Sequence, residues 1–229
     1  LAHTEEGDTA KRHAMLLDLL TPVAKTYPSE MGIHSVSQGL QILGGYGYCQ
    51  EFPLEQYYRD IRIHTIHEGT TGIQGLDLLG RKVMANNGAA LRIFLDELQA
   101  AMDSASSDDY LKPYAERLNN AVELVRKVTM HRIQSALKGD IEEFLADATL
   151  YLELFGIVAI AWQWLVQGIA ARAALGGEVP KHDVGFYEGK LQTMRYFFHY
   201  ELPKTHGLAA RLLENDAITV GTTSAIFDD

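Results

Sequence analysis

The chain has 229 residues, 47% hydrophobic and 22% charged, enough to bury a sizeable core in one or two domains. Its 30 acidic residues against 20 basic ones leave a formal net charge of −10, which argues against a nucleic-acid surface, since that needs a basic stripe. Cys49 is the only cysteine, which excludes an internal disulfide framework and makes a reducing, cytoplasmic setting the expectation.

Residues 9–21 place Met15, Leu16, Leu19 and Leu20 at amphipathic helical spacing. The pattern resumes with Met31, Ile33, Val36, Leu40 and Leu43. Pro22 and Pro28 fall between, and each removes a backbone donor, so a kink or two shorter helices is expected. Gly44, Gly45 and Gly47 end that helix. Residues 53–58 read as one short helical turn. Residues 59–67, with Ile61, Ile63 and Thr65 in alternation, read as extended. A helix then opens at Glu68 or Gly69 and carries Ile73, Leu76, Leu79 and Val83.

Asn86-Asn87-Gly88 is a breaker cluster, and the domain boundary is placed there, separating 1–86 from 87–229. Beyond it a helix over 89–102 precedes a polar linker at 103–109, and a second helix spans 110–137. Gly139-Asp140 breaks the pattern, with Asp140 as the next N-cap. Residues 141–175 form the longest predicted helix, about 50 Å if straight. Gly176, Gly177 and Pro180 close it, and 182–213 complete the bundle with a kink near Pro203. The tail from 217 has no helical period. The fold class is therefore all-α, a helical bundle followed by a further helical extension. The most apolar run, 152–169, is interrupted by Gln163 and Gln167 and reads as too short to span a membrane. No basic, apolar leader opens the chain, so no signal peptide is expected.

Several groupings tempt a functional reading. His64, His67 and Glu68 are close together, but a zinc helix needs histidines at i and i+4 around the glutamate, and Gly69 follows at once, so no metal is expected. His199 and His206 read as core-edge or surface side chains. Tyr151, Phe155, Trp162 and Trp164 read as packing, and Tyr196, Phe197, Phe198 and Tyr200 encircle their helix, which predicts burial on more than one side.

The stretch His67-Glu68-Gly69-Thr70-Thr71-Gly72-Ile73-Gln74 is different: it sets a carboxylate at a glycine break beside a helix start, where unpaired amides suit an oxygen-rich ligand. Gln41-Ile42-Leu43-Gly44-Gly45-Tyr46-Gly47-Tyr48 and Tyr58-Arg59-Asp60-Ile61-Arg62 precede it. This ordered set resembles the carboxy-terminal region of acyl-CoA dehydrogenases, which carry Q-x-x-G-G-x-G-Y, then R-D-x-R, then E-G-T-x-x-I-Q. The clear match covers residues 11–83. The remainder resembles the extra helical extension of a longer subgroup that includes enzymes like 3-methylmercaptopropionyl-CoA dehydrogenase. The chain opens at Leu1, and the family's amino-terminal helical domain and middle β-domain have no counterpart in these residues, so it reads as a piece of a longer enzyme.

The resemblance implies oxidation of an acyl-CoA to a trans-2-enoyl-CoA, with hydride passing from the β-carbon to FAD. Glu68 aligns with the base that takes the α-proton, and its own backbone amide with a donor to the thioester carbonyl. Gly69 aligns with a substrate contact, where a side chain would crowd the thioester. Thr70 and Gly72 align with flavin contacts, although many relatives carry glutamine or glutamate at the position of Gly72. Gln41, Ile42, Leu43, Gly44 and Gly45 align with contacts to the adenine side of FAD, usually reaching across to a neighbouring subunit. An acyl-CoA substrate, an electron-transferring flavoprotein as acceptor and a homodimer or homotetramer follow from the same resemblance. With the middle domain missing from these residues, FAD is not expected to be held by this segment alone. The alternatives are an acyl-CoA oxidase and a non-catalytic helical oligomerisation module.

Overall fold

The computed structural model describes residues 6–227; the first five residues of the 1–86 segment and the last two of the tail lie outside them. Helices make up nearly all of it, and no strand occurs among the described residues, in agreement with the all-α fold class. Helix α1 (Gly7–Ile42) runs 36 residues through both prolines, where the sequence predicts a kink or two helices. The reason lies in a distant side chain. Pro22 has no N–H, so the Asp18 carbonyl one turn earlier loses its helical donor. Lys82 replaces it: Nζ lies 2.6 Å from the Asp18 carbonyl oxygen and 2.8 Å from Asp18 Oδ1. The carbonyl freed by Pro28 belongs to Ala24, an exposed residue, where solvent serves it.

A 3₁₀ turn (Gly44–Tyr48) leads to α2 (Leu54–Arg62) and a second 3₁₀ turn (Ile63–Thr65). Residues 59–65 are thus helical, not extended. Ile61 lies against Gly32 of α1, where an added Cβ would stand 2.8 Å from Ile61 Cδ1, while Ile63 is 50% exposed. Their alternation therefore marks no common buried face. Helix α3 (Thr71–Asp77) starts from Thr70 as N-cap, two residues beyond Glu68, and widens into a π turn over Leu78–Lys82. That turn delivers the buried Lys82 to α1. Gly75 lets α3 approach α7 (Ala148–Leu175), since a Cβ there would meet the Ala148 carbonyl oxygen at 2.7 Å.

Asn86, Asn87 and Gly88 all adopt positive φ (+51°, +55° and +74°) and kink the chain within α4 (Ala85–Ala105). Helix α5 (Lys112–Leu137) follows, then α6 (Ile141–Ala146), which Asp140 caps as expected, accepting the Glu143 N–H at 3.1 Å. The long helix predicted over 141–175 is broken at Asp147 (φ −105°, ψ +29°), and α7 (Ala148–Leu175) begins afresh. Asp147 turns its carboxylate inward, where Oδ2 accepts from Arg132 at 3.0 Å and Arg211 at 3.3 Å. Helix α8 (Val184–Tyr196) opens into a second π turn (Phe197–Glu201) ahead of Pro203, and α9 (Lys204–Leu212) follows. Phe197 and Phe198 are buried, but Tyr196 and Tyr200 stack on each other in solvent, so burial is one-sided and not all round. The tail carries the short exposed α10 (Ile218–Gly221) and a 3₁₀ turn (Ser224–Ile226), structure that its aperiodic sequence does not predict.

Helix α7 is the centre of the fold, packing on α1, α3, α4, α5, α8 and α9. By length and composition it could cross a membrane, contrary to the sequence reading of its apolar run. Its burial within the bundle marks it as a core helix: Tyr151, Leu154, Phe155, Ala161 and Leu165 are fully enclosed. Phe94 stacks on Phe155 at 4.7 Å and meets Trp162 edge-on at 5.8 Å. One core unites Leu19, Leu78, Leu79 and Val83 with Phe94, Leu118, Phe155 and Phe198.

Two measurements probe these contacts. Lys82→Met lowers the unfolding free energy in urea by about 1–3 kcal/mol. Pro22→Ala, which restores an N–H for Asp18, recovers more stability in that background than in the wild type; strictly additive effects would contradict the assigned bond. The second concerns Asp108, which accepts from Arg172 Nε at 2.9 Å and from the N–H groups of Tyr110 and Leu111, joining the start of α5 to the end of α7. The Arg172 hydrogen bond leads in holding its carboxyl below the ordinary 3.8. A lowered folded pKa stabilises fully above the unfolded value and is lost as pH falls through the folded one. Asp108→Asn is therefore less stable than wild type at neutral pH, and the gap closes as acid is added below pH 3.8.

Candidate active site at the Glu68 turn

The chain reaches Glu68 through a tight turn. The His67 amide donates to the Ile63 carbonyl at 3.0 Å, and His67 Nδ1 lies 2.9 Å from the same oxygen. Glu68 and Gly69 then both take left-handed backbone, at φ +56° and +91°. For glutamate this costs roughly 1–2 kcal/mol, a strain that persists only where neighbours over-determine the geometry. Those neighbours are visible. Gln74 Nε2 donates to the Glu68 carbonyl at 3.0 Å, and Lys25 Nζ to the Gly69 carbonyl at 2.6 Å.

Thr70 returns the chain to extended backbone and caps α3, its hydroxyl accepting from Ile73 N at 3.4 Å. Thr71 donates its hydroxyl to Glu30 Oε1 of α1. The Glu68 side chain is exposed, and its amide N–H finds no hydrogen-bond partner among the described residues. A carboxylate and a free donor thus belong to one residue, the pairing needed to take a proton beside a carbonyl that is being polarised. Gly69 has an internal reason to be glycine besides the predicted crowding of a ligand. A Cβ there would lie 2.9 Å from Gln74 Nε2, at a φ that side chains avoid. At Gly72 an added Cβ would meet only Thr70 Oγ1 at 3.8 Å, so a side chain of the kind the family resemblance implies has room.

The other predicted residues lie elsewhere. Gln41 and Ile42 end α1, exposed; Leu43 is half-buried; Gly44 (φ +57°) and Gly45 open the 3₁₀ turn, with open space where each Cβ would stand. The first of them, Gln41, is 16 residues past Lys25, about 24 Å along the helix axis. The Glu68 turn and the glycine turn are therefore two separate features. The glycine turn carries large apolar side chains in solvent, with Ile42 83% and Tyr48 96% exposed. Cys49 is half-buried, its Sγ 3.7 Å from the Gly45 carbonyl. His64 and His67 face each other at 5.4 Å, and no set of three metal-ligating side chains converges among the described residues.

Lys25 lies outside the motifs read from the sequence, and Gln74 stood at the end of one without an assigned role. Lys25 is 44 positions from Gly69, and its one sequence signal is a cation on the buried face of α1, between Pro22 and Ser29.

Comparison with known proteins brings these features together. Residues 4–84 match the family model described as acyl-CoA dehydrogenase, C-terminal domain, and residues 94–222 the model described as acetyl-CoA dehydrogenase C-terminal like. The broad-specificity linear acyl-CoA dehydrogenase FadE5 of Mycobacterium tuberculosis is 32% identical over 213 residues, covering 89% of this chain and 34% of the relative. The 3-methylmercaptopropionyl-CoA dehydrogenase of Ruegeria pomeroyi is 33% identical over 198 residues, covering 85% of this chain and 32% of the relative. The short-chain specific acyl-CoA dehydrogenase, mitochondrial, of Rattus norvegicus reaches 47% over 75 residues, 30% of this chain and 18% of the relative. The chain thus spans about a third of the length of the first two relatives.

Gly69→Ala tests the turn. Its φ of +91° and the Gln74 contact predict a loss of about 1–2 kcal/mol in thermal or urea unfolding. An unchanged midpoint would show that the left-handed pair is not populated.

Proposed function

Because the chain belongs to the acyl-CoA dehydrogenase family, we propose that it is the carboxy-terminal part of a flavin-dependent enzyme that desaturates an acyl-CoA thioester. The observation that carries this reading is the Glu68 turn, where an exposed carboxylate and an unpaired main-chain N–H share one strained residue. Glu68 takes the α-proton. Its amide donates to the thioester carbonyl, where negative charge develops as the proton leaves. Gly69 adds no side chain between the two.

FAD, when bound, supplies the acceptor for the β-hydride. The residues proposed to touch it suit contact through main chain: Gly44 and Gly45 leave open backbone, and Thr70 and Gly72 border the base. The distance along α1 between the glycine turn and the Glu68 turn supports their use on different parts of a long cofactor or on cofactors of neighbouring protomers. The exposed Ile42, Tyr48, Ile63 and Ile73 support a further protein surface over this side, as a homodimer or homotetramer and the remainder of a longer chain would provide. Residues 1–86 are the proposed carboxy-terminal helical domain and 87–229 the extension. An electron-transferring flavoprotein is the proposed acceptor of the electrons.

The test uses the flavin-loaded, full-length protein that contains this chain, mixed without oxygen with a panel of saturated acyl-CoAs. The oxidised flavin band bleaches with one class of chain. In Glu68→Gln the flavin content persists while the bleaching rate falls by about a thousandfold. Bleaching at the wild-type rate in that variant would remove Glu68 from the chemistry.

A further inference from the structure

The Glu68 turn is held from outside itself by a lysine. Gln74 belongs to α3 and moves with the turn it bonds, whereas Lys25 belongs to α1, 44 positions away, and reaches across to the Gly69 carbonyl at 2.6 Å. Lys25 forms no ion pair among the described residues; the carbonyl is its partner. A charged donor on a carbonyl is the stronger kind of hydrogen bond, and this one falls on the peptide that follows Glu68 and Gly69. We propose that Lys25 is a positioning residue for Glu68, fixing the left-handed pair so that the carboxylate meets the α-hydrogen and the free amide the thioester carbonyl of one bound substrate. The proposal rests on Glu68 being the base.

The geometry explains why such a brace is needed. Gly69, with no Cβ to restrict rotation about its N–Cα and Cα–C bonds, can turn so that Glu68 moves relative to the Gly69 carbonyl that Lys25 holds. Lys25 opposes that rotation directly. Five residues further along α1, Glu30 accepts the Thr71 hydroxyl, so the same helix grips the segment on both sides of Thr70. Gly69 has no Cβ to hold it sterically, which leaves the hydrogen bonds to define its position. Catalysis is sensitive to this: a misplacement of about 1 Å can cost a hundredfold in rate.

The experiment compares K25M, K25R and E68Q in the flavin-loaded, full-length protein, following anaerobic flavin reduction by one saturated acyl-CoA over a concentration series. In K25M the limiting rate falls by about 30-fold to 100-fold, while flavin content is kept and half-saturation stays within about threefold. K25R, which keeps the charge and a donor, recovers most of that loss. Where K25M fails to fold, K25Q carries the same expectation. The proposal is overturned if K25M, or K25Q in its place, holds the limiting rate within about threefold while E68Q has lost it, or if its whole effect lies in flavin content or half-saturation. An E68Q protein that reduces its flavin normally overturns the base assignment itself, and the role of Lys25 with it.

Discussion

The bond from Lys82 to the Asp18 carbonyl is the constraint on which the arrangement depends. It occupies the acceptor that Pro22 strips of its helical donor, and α1 continues as one helix past the proline. Lys82 comes from the π turn that follows α3, so the same contact fixes where α3 ends. At the other end of α3, Lys25 of α1 bonds the Gly69 carbonyl. The two lysines work in opposite directions: one reaches from the π turn to α1, the other from α1 to the Glu68 turn. Between them the short α3 is set against α1 at both ends, and Gly75 seats its middle on α7.

A second set of charges orders the packing of α5, α6, α7 and α9. Arg132 and Asp147 are almost fully buried, with Arg211 completing the group and leading outward to Asp216. Burial makes such a pair a poor source of net stability, because desolvation offsets most of the attraction. Its visible effect is geometric: Asp147 leaves the helical path, α6 separates from α7, and the chain near Asp216 is held at the surface by the same network.

Much of this was legible in the sequence because it is local. Helical periods over 110–137 and 182–213, the glycine turn after Ile42 and the Asp140 cap are properties of neighbouring residues. What could not be read from neighbours depends on partners far along the chain. Pro22 predicts a break unless Lys82, 60 positions on, is known to stand beside Asp18. Asp147 looks like an ordinary polar position in a helix until Arg132 and Arg211 are seen to converge on it. Ile61 and Ile63 alternate as a strand would, but one lies against Gly32 and the other faces solvent. In the candidate site, Glu68 and Gly69 were visible as a motif, whereas Lys25 carries no local mark of its contact with them. The motif shows what the turn contains; only tertiary packing shows what holds it.

Glu68 sits where glycine would be the more comfortable occupant. Two selective pressures therefore pull in opposite directions at a single codon. A population screened only for heat resistance is drawn toward replacing the glutamate, because relief of its backbone rewards the folded state. A population that must carry out the proposed proton abstraction is held to it. The identity of residue 68 across laboratory lineages is thus a record of what each lineage was asked to do, legible without assaying any of them.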